Sequence, residues 1–417
     1  MRSPDRDTRH ARLLLFGCVL AATLLRLCYV LWADEGRYRH EAVYASDAQH
    51  YRALAESVAE GRGYRIDGRL TSWRPPLYPF MVAGIMKVVP NPLFATRLLQ
   101  CLLGGLTCLP IFYLGRRLGG SSTGLLAAGG CAISYELFNL NAYLMTETVF
   151  TFLLLSVVSA LIAFQQRPGV GIALLAGVVL GLSVLARPLF LLFPVALVPW
   201  MLWTTSDRLP IGRSVVLVCL LLVAAALVVS PWTIRNARVH ASFVAVTTDT
   251  GKMIYGSNSP SATGGSGGWY SRGVDYRVPP ELEGGGEAES SRRLVKAGMA
   301  YMVTHPGRTA ALVPRKLWNM WRPWVAGASW LSALLAGSFY VVVVALAVTA
   351  MVLNRRRWME WSLIYLVLLY VISLHALLMS TVRYRYPVMP LLMLLAASAL
   401  DQVLQHRARR STCSPAG

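Results

Sequence analysis

The sequence predicts an all-α protein that crosses a membrane many times, and three observations carry that prediction. Of 417 residues, 55% are hydrophobic and only 14% are charged, against roughly 25% charged in a soluble domain. The apolar residues gather into about ten runs, several near the roughly 20 residues that a helix needs to cross the hydrocarbon. The basic residues, which outnumber the acids by 40 to 20, lie between those runs. A net charge of +20 usually points to nucleic acid, but here it is not massed on one domain.

The runs fall at 12–32, 93–114, 122–137, 148–165, 171–186, 189–204, 215–230, 328–353, 361–379 and 387–403. Leu77–Val89 is too short to span and is flanked by prolines, so it is expected to lie at the membrane surface. The first run follows Arg2, Arg6, Arg9 and Arg12, contains Arg26 and has no small-residue cleavage site after it. It reads as an uncleaved first span. Six of the seven cysteines lie in apolar runs and no Cys-x-x-Cys occurs, so they are expected to pack rather than bind metal or pair.

With the N-terminus inside, alternate short loops carry Arg116 and Arg117, Arg167, Arg208 and Arg213, then Arg355, Arg356 and Arg357, and the tail adds Arg407, Arg409 and Arg410. The opposite loop around Ser134–Thr146 has no Lys or Arg. The positive-inside rule therefore places both termini in the cytoplasm. The chain divides into a membrane core with its first external loop (1–230, loop 33–76), an extracytoplasmic region (231–327), C-terminal spanning helices (328–403) and a cytoplasmic tail (404–417). The first external segment balances seven arginines against seven acids, whereas the second carries twelve bases and six acids. Loops of this length in a compact protein usually carry function.

Within the first loop, Ser46-Asp47-Ala48-Gln49 has capping-box spacing, and Tyr51, Leu54, Ala55 and Val58 recur with helical period up to Gly61. This predicts a short amphipathic surface helix with Asp47 in its first turn. Such an acid complements the helix dipole on its own account, and it is also a carboxylate held at the membrane face. Arg74 precedes Pro75-Pro76, which fix an extended turn; it suits a lipid-headgroup anchor and a substrate phosphate equally. Glu147 stands where a span begins, as a capping acid or a second active-site carboxylate. Arg187-Pro188 breaks the chain between two spans, Pro231-Trp232-Thr233-Ile234-Arg235-Asn236 follows another, and Arg383-Tyr384-Arg385-Tyr386-Pro387 sits between the last two. Together they predict an external face of carboxylates among guanidiniums suited to a phosphate. Few charges fall mid-span and no broken-helix repeat is visible, which weighs against an ion-coupled carrier.

At these residues the sequence resembles the bacterial members of glycosyltransferase family 39, GT-C-type membrane enzymes related to the lipid A aminoarabinose transferase and the protein O-mannosyltransferases. The matching pieces keep family order: Ser46-Asp47-Ala48-Gln49-His50-Tyr51, Gly61-Arg62-Gly63-Tyr64, Arg74-Pro75-Pro76-Leu77-Tyr78-Pro79, Thr146-Glu147 and Ala186-Arg187-Pro188. Then come Pro231 to Asn236, Gly256-Ser257-Asn258-Ser259-Pro260 with Ala262-Thr263-Gly264-Gly265, and Arg383 to Pro387. The set covers about 46–390. The resemblance implies a GT-C-type bundle with surface helices in the first external loop. It also implies transfer of a sugar from a polyprenyl-phosphate carrier to an acceptor hydroxyl on the extracytoplasmic side, as an integral membrane enzyme with no nucleic-acid partner.

In that reading Asp47 is the catalytic base and Glu147 the second acid, while Arg74, Arg383, Arg385 and Arg187 hold the donor phosphate. His50, Tyr51, Tyr78, Arg235, Asn236 and Asn258 are the implied substrate contacts. Many relatives carry an Asp-Glu pair in the first loop, whereas this chain has Asp47-Ala48. That departure fits an envelope lipid or glycan as acceptor better than a protein. No ligand motif demands a metal; a divalent ion, if used, would be shared by Asp47, Glu147 and His50. Phosphate is a good leaving group, so positive donors matter more than a strong general acid. The alternative of another class is a lipid-linked sugar flippase, which leaves the external carboxylates without a task.

Overall fold

The computed structural model describes residues 4–34, 45–265, 278–324 and 330–412. The charged residues of 35–44, Gly267 and Gly268, Cys413 and the side chain of Ser46, expected to cap a helix, lie outside the described residues. The chain runs through α1 (Pro4–Asp34), α2 (Ala45–Ala59), a hairpin of β1 (Arg65–Ile66) and β2 (Arg69–Leu70), α3 (Leu77–Val88), α4 (Pro92–Leu106) and α5 (Cys108–Leu118). It continues with α6 (Ser121–Ile133), α7 (Tyr135–Asn139), α8 (Glu147–Gln166), α9 (Val170–Ala186), α10 (Phe193–Thr205), α11 (Ile211–His240) and α12 (Asp249–Ser257). After these come α13 (Glu287–Thr304), α14 (Pro306–Trp321), α15 (Trp330–Leu353), α16 (Trp358–Leu377) and α17 (Met389–Thr412).

Among the described residues, seven helices are long and apolar enough to cross a membrane: α1, α4 with α5, α8, α11, α15, α16 and α17. Apolar helices α6, α9 and α10 are shorter, at 13, 17 and 13 residues. The protein is a multi-pass membrane protein, and its helices follow the apolar runs with three differences. Pro110 has no N–H to give the carbonyl of Leu106, so the second run breaks at Thr107. The run expected to end at 137 stops at Ile133, where Ser134 turns extended and α7 carries Glu136 inward to a buried arginine. The run expected to end at 230 continues to His240 through Pro231. The hydroxyl of Ser230 donates to the Leu227 carbonyl at 3.1 Å, supplying the bond that the proline cannot.

Glycines let the helices touch. A Cβ on Gly115 of α5 would lie 2.5 Å from the Cα of Gly124 on α6, and one on Gly177 of α9 would lie 2.2 Å from the Leu221 carbonyl of α11. Backbone cannot yield as a flexible side chain can. Gly115→Ala is therefore expected to cost about 1–3 kcal/mol and lower the thermal midpoint in detergent. Gly129→Ala, with nothing within 4 Å of its added methyl, should leave the midpoint unchanged or raise it.

Successive long helices alternate in direction, which sorts the loops onto two ends. At one end Arg357 donates to the Leu118 carbonyl at 2.9 Å and Arg208 to that of Gln165, so the arginine-bearing loops converge there. At the other end α2 and α3 pack together through Tyr51, Ala55, Tyr78, Val82 and Ala83. The period-matched residues Tyr51, Leu54 and Ala55 are buried as expected, and Gly61, at φ +75°, follows the helix end. The hairpin after α2 turns on Asp67 and Gly68, both at positive φ between the paired Ile66 and Arg69.

Candidate active site

Six chain segments meet at the end of the bundle away from the arginine loops, and each delivers one charged side chain. The first turn of α2 supplies Asp47. The stretch after the hairpin supplies Arg74, whose backbone is fixed by the Tyr64 hydroxyl donating to the carbonyls of Arg74 and Pro75 at 3.0 and 3.1 Å. Glu147 is the first residue of α8, and Arg187 is the extended residue that ends α9. Arg383 stands in the tight turn of 382–388 between α16 and α17.

These groups form a continuous ionic chain. Arg187 reaches Glu147 at 3.2 Å, and Arg383 bridges Glu147 and Asp47, the latter at 2.7 Å. Arg74 bonds the other oxygen of Asp47 and lies 3.5 Å from Asp249, at the start of α12. Glu147 is wholly buried, and its Oε2 has no hydrogen-bond partner among the described residues. Burial alone would raise the Asp47 carboxyl, but the Arg383 and Arg74 guanidiniums outweigh it and hold the group well below the usual carboxylate range. Asp47 is therefore ionised throughout the physiological range.

Above this chain lies a cavity of about 280 Å³. Asp47, Tyr51, Arg74, Arg187, Asp249, Arg383 and Tyr384 face it, and leucines 189, 191, 192, 374 and 378 with Met253 and Ile254 give it an apolar side. A charged floor beside an apolar wall is the environment that an amphiphile with an anionic head needs. The guanidinium of Arg187 also rests over Phe150 and Tyr384, at 5.8 and 5.6 Å from the ring centroids.

The other residues singled out from the sequence divide in two. His50 is at the margin, its Nδ1 3.3 Å from Arg74 and its ring 4.4 Å from Trp73; burial and the nearby guanidinium lower its pKa. Tyr51 lies beneath Arg74, whose guanidinium sits 5.8 Å from its ring. Tyr78, Arg235, Asn236, Asn258 and Arg385 do not line the cavity. Tyr78 is buried and donates to Gln100 at 2.5 Å. Arg235 donates to the Thr71 carbonyl and to Ser72, and Asn236 accepts from the Ser72 hydroxyl at 2.7 Å while donating to the carbonyls of Val244 and Val246, so both tie the loop at 71–72 to the end of α11. Asn258 accepts from Lys316 at 3.0 Å and donates to the Leu377 carbonyl at 2.9 Å.

Arg385 corrects the expectation of a phosphate ligand. It is fully buried, paired with Glu136, stacked 3.7 Å from the ring centroid of Tyr340, and bonded to the carbonyls of Met320 and Arg322. Alternate residues of a tight turn face apart, so Arg383 reaches the cavity while Arg385 braces α7 and α14. The sequence reading missed Asp249, whose signal was the Thr247-Thr248-Asp249 lead into a short helix of the second outer segment. No group of three His, Cys, Asp or Glu residues converges on a metal position among the described residues; Asp47, Glu147 and His50 all face arginines.

Residues 73–234 match the family described as dolichyl-phosphate-mannose-protein mannosyltransferase. The fold is similar to the oligosaccharyltransferase AglB from the archaeon Archaeoglobus fulgidus, solved with an inhibitory peptide and a dolichol-phosphate: TM-score 0.59, 12% identity, 99% of this chain and 53% of that one. The same oligosaccharyltransferase solved with zinc and sulfate gives a TM-score of 0.56 at 13% identity, over 95% of this chain and 50% of that one. ArnT from Cupriavidus metallidurans, solved with undecaprenyl phosphate, aligns at a TM-score of 0.38 and 14% identity over 85% of this chain and 73% of that one. The chain thus spans about half the length of the oligosaccharyltransferase structures it matches. Comparison with curated protein sequences gave no match. The fold is similar to that of the aligned half of the archaeal oligosaccharyltransferase, an all-α membrane bundle of the kind expected from the sequence.

Proposed function

We propose that this chain transfers a sugar from a polyprenyl-phosphate carrier to the hydroxyl of an envelope lipid or glycan on the extracytoplasmic face, with inversion at the anomeric carbon. One observation carries the reading: Asp47 stands in the wall of an amphiphilic cavity, held ionised between Arg74 and Arg383. A similar fold solved with a dolichol-phosphate supports the donor class. The arginine-bearing loops lie at the opposite end of the bundle, which supports the outward placement of the cavity and cytoplasmic termini.

The acceptor hydroxyl donates its hydrogen bond to Asp47, which aims the oxygen lone pair at the anomeric carbon. A new carbon–oxygen bond forms as the bond to the phosphate oxygen breaks, and the electron pair leaves with the polyprenyl phosphate. Guanidiniums stabilise the charge that gathers on that phosphate. The hydroxyl proton passes to Asp47 and then to solvent or the departing phosphate. Ion pairing makes Asp47 a weak base in the free enzyme. A phosphate that draws on Arg383 loosens that pairing and raises the proton affinity of Asp47 when the donor is in place. Glu147, buried behind Arg383, sets the position of that guanidinium.

The test is turnover of purified protein in detergent, where no membrane barrier remains. Supplied with polyprenyl-phosphate sugars and a panel of glycolipid and glycan acceptors, it should release polyprenyl phosphate and form an inverted glycosidic bond. Absence of transfer, with the same preparation moving donor lipid across sealed vesicles, would identify a flippase instead.

A further inference from the structure

The charged floor of the cavity has a positive end and a negative end. Arg187 stands at one end, 3.2 Å from Glu147; Arg383 and Arg74 each bridge two acids in the middle; Asp249 closes the other end. Asp249 is held in place. Its Oδ1 accepts the indole N–H of Trp73 at 2.6 Å, and its backbone N–H donates to Thr247 at 3.1 Å. The helix that bears it is seated tightly, because a Cβ on Gly251 would lie 2.3 Å from the Ser291 carbonyl. Its Oδ2 lies 3.5 Å from Arg74, an ion pair too long for a good hydrogen bond, and the side chain keeps 24% exposure against 17% for Asp47.

This polarity orders a sugar-phosphate lipid within the cavity. A phosphate is repelled by Asp249 and drawn to Arg187. Leu191 and Leu192, 39% and 59% exposed, line the cavity just beyond Arg187-Pro188, so an isoprenoid tail continues from that end towards lipid. The group left against Asp249 must donate hydrogen bonds and carry no negative charge. Resting on the transfer reading above, we infer that Asp249 recognises the donor sugar, its Oδ2 accepting hydrogen bonds from ring hydroxyls while Arg187 and Arg383 hold the phosphate. Thr250, also facing the cavity and exposed, stands beside it.

The assignment predicts opposite behaviour at the two ends. Asp249→Asn keeps an oxygen for the Trp73 indole and so preserves the loop. It should raise the KM for the polyprenyl-phosphate hexose that the wild type turns over fastest, among mannose, glucose and galactose, by about tenfold or more. Inhibition by sugar-free polyprenyl phosphate should shift less than about threefold or become tighter, since a repelling charge is gone. Arg187→Gln should weaken both lipids together. Thermal midpoints in detergent check that each variant is folded, and donor KM for Thr250→Val provides a second reading of the sugar end if Asp249→Asn fails to fold. Equal weakening of both lipids by Asp249→Asn, or no change in either, overturns the assignment while leaving wild-type transfer intact. A wild type that transfers none of the sugars overturns the transfer reading itself, and this assignment with it.

Discussion

Asp47→Asn is expected to lower sugar transfer by about 10²–10⁴-fold while donor KM changes only a few-fold. Asparagine has nearly the volume of aspartate and retains one oxygen that accepts from an arginine. It lacks the charge that polarises the acceptor hydroxyl and cannot take its proton. Both Asp47 oxygens are engaged, one by Arg74 and one by Arg383 at 2.7 Å, so the variant also leaves one guanidinium less compensated beside the phosphate site. Donor binding therefore holds or improves while turnover collapses, a split that loss of folding would not produce. The pH dependence follows from the same pairing. Because the folded carboxyl is held below its usual range, the contribution of Asp47 is fully present above about pH 4 and is lost only as pH falls below that. The kcat/KM for the donor, which reports the free enzyme, should show no ionisation of Asp47 between about pH 5 and 8. An asparagine variant with half the wild-type rate would sink the role of Asp47.

Arg383→Met should be the most destabilising single change at the site. Arg383 joins two acids, one of them wholly buried, and its loss leaves Glu147 to Arg187 and Asp47 to Arg74 alone. Breaking a buried pair by removing one partner costs about 3–5 kcal/mol, because the remaining charge stays desolvated. The thermal midpoint in detergent reads this cost, and transfer should be lost with it. Arg383→Lys should recover only part of either, since an ammonium cannot present two donor edges to two carboxylates. Combining Arg383→Met with Asp47→Asn removes one of the stranded acids, so the double variant should be more stable than the sum of the two changes. Additive losses would mean that Arg383 does not couple the two carboxylates.

Much of the site was legible because its residues stand at chain landmarks. Asp47 follows a capping sequence, Arg74 precedes a proline pair, and Glu147 and Arg187 mark the ends of apolar runs. Glu147 and Arg187 end apolar runs, and Asp47 and Arg74 lie in the loop that the first run leads into, so the order of the runs alone put these four at the same end. What the sequence left open was direction within that face. Arg383 and Arg385 are two residues apart in one motif, yet the first bridges the cavity carboxylates and the second is sealed against Glu136 and Tyr340. Arg235, Asn236 and Asn258 stand in motifs of the same resemblance but spend their polar atoms on backbone carbonyls, Ser72 and a neighbouring lysine. A motif records that a residue is constrained, not what constrains it. Asp249 illustrates the reverse: it is one of six acids in a long outer segment, and its Thr-Thr lead marks a helix start without showing that the chain returns it to Arg74.

Composition and periodicity determined what each segment had to do: apolar runs had to leave water as helices, and arginine-rich loops had to gather on one side. Those are one-dimensional consequences of transfer free energy and can be read residue by residue. Only the tertiary structure decided which charges share a cavity, because an ion pair depends on distances between segments far apart in the chain. Asp47 and Arg383 are 336 residues apart in sequence and 2.7 Å apart in space.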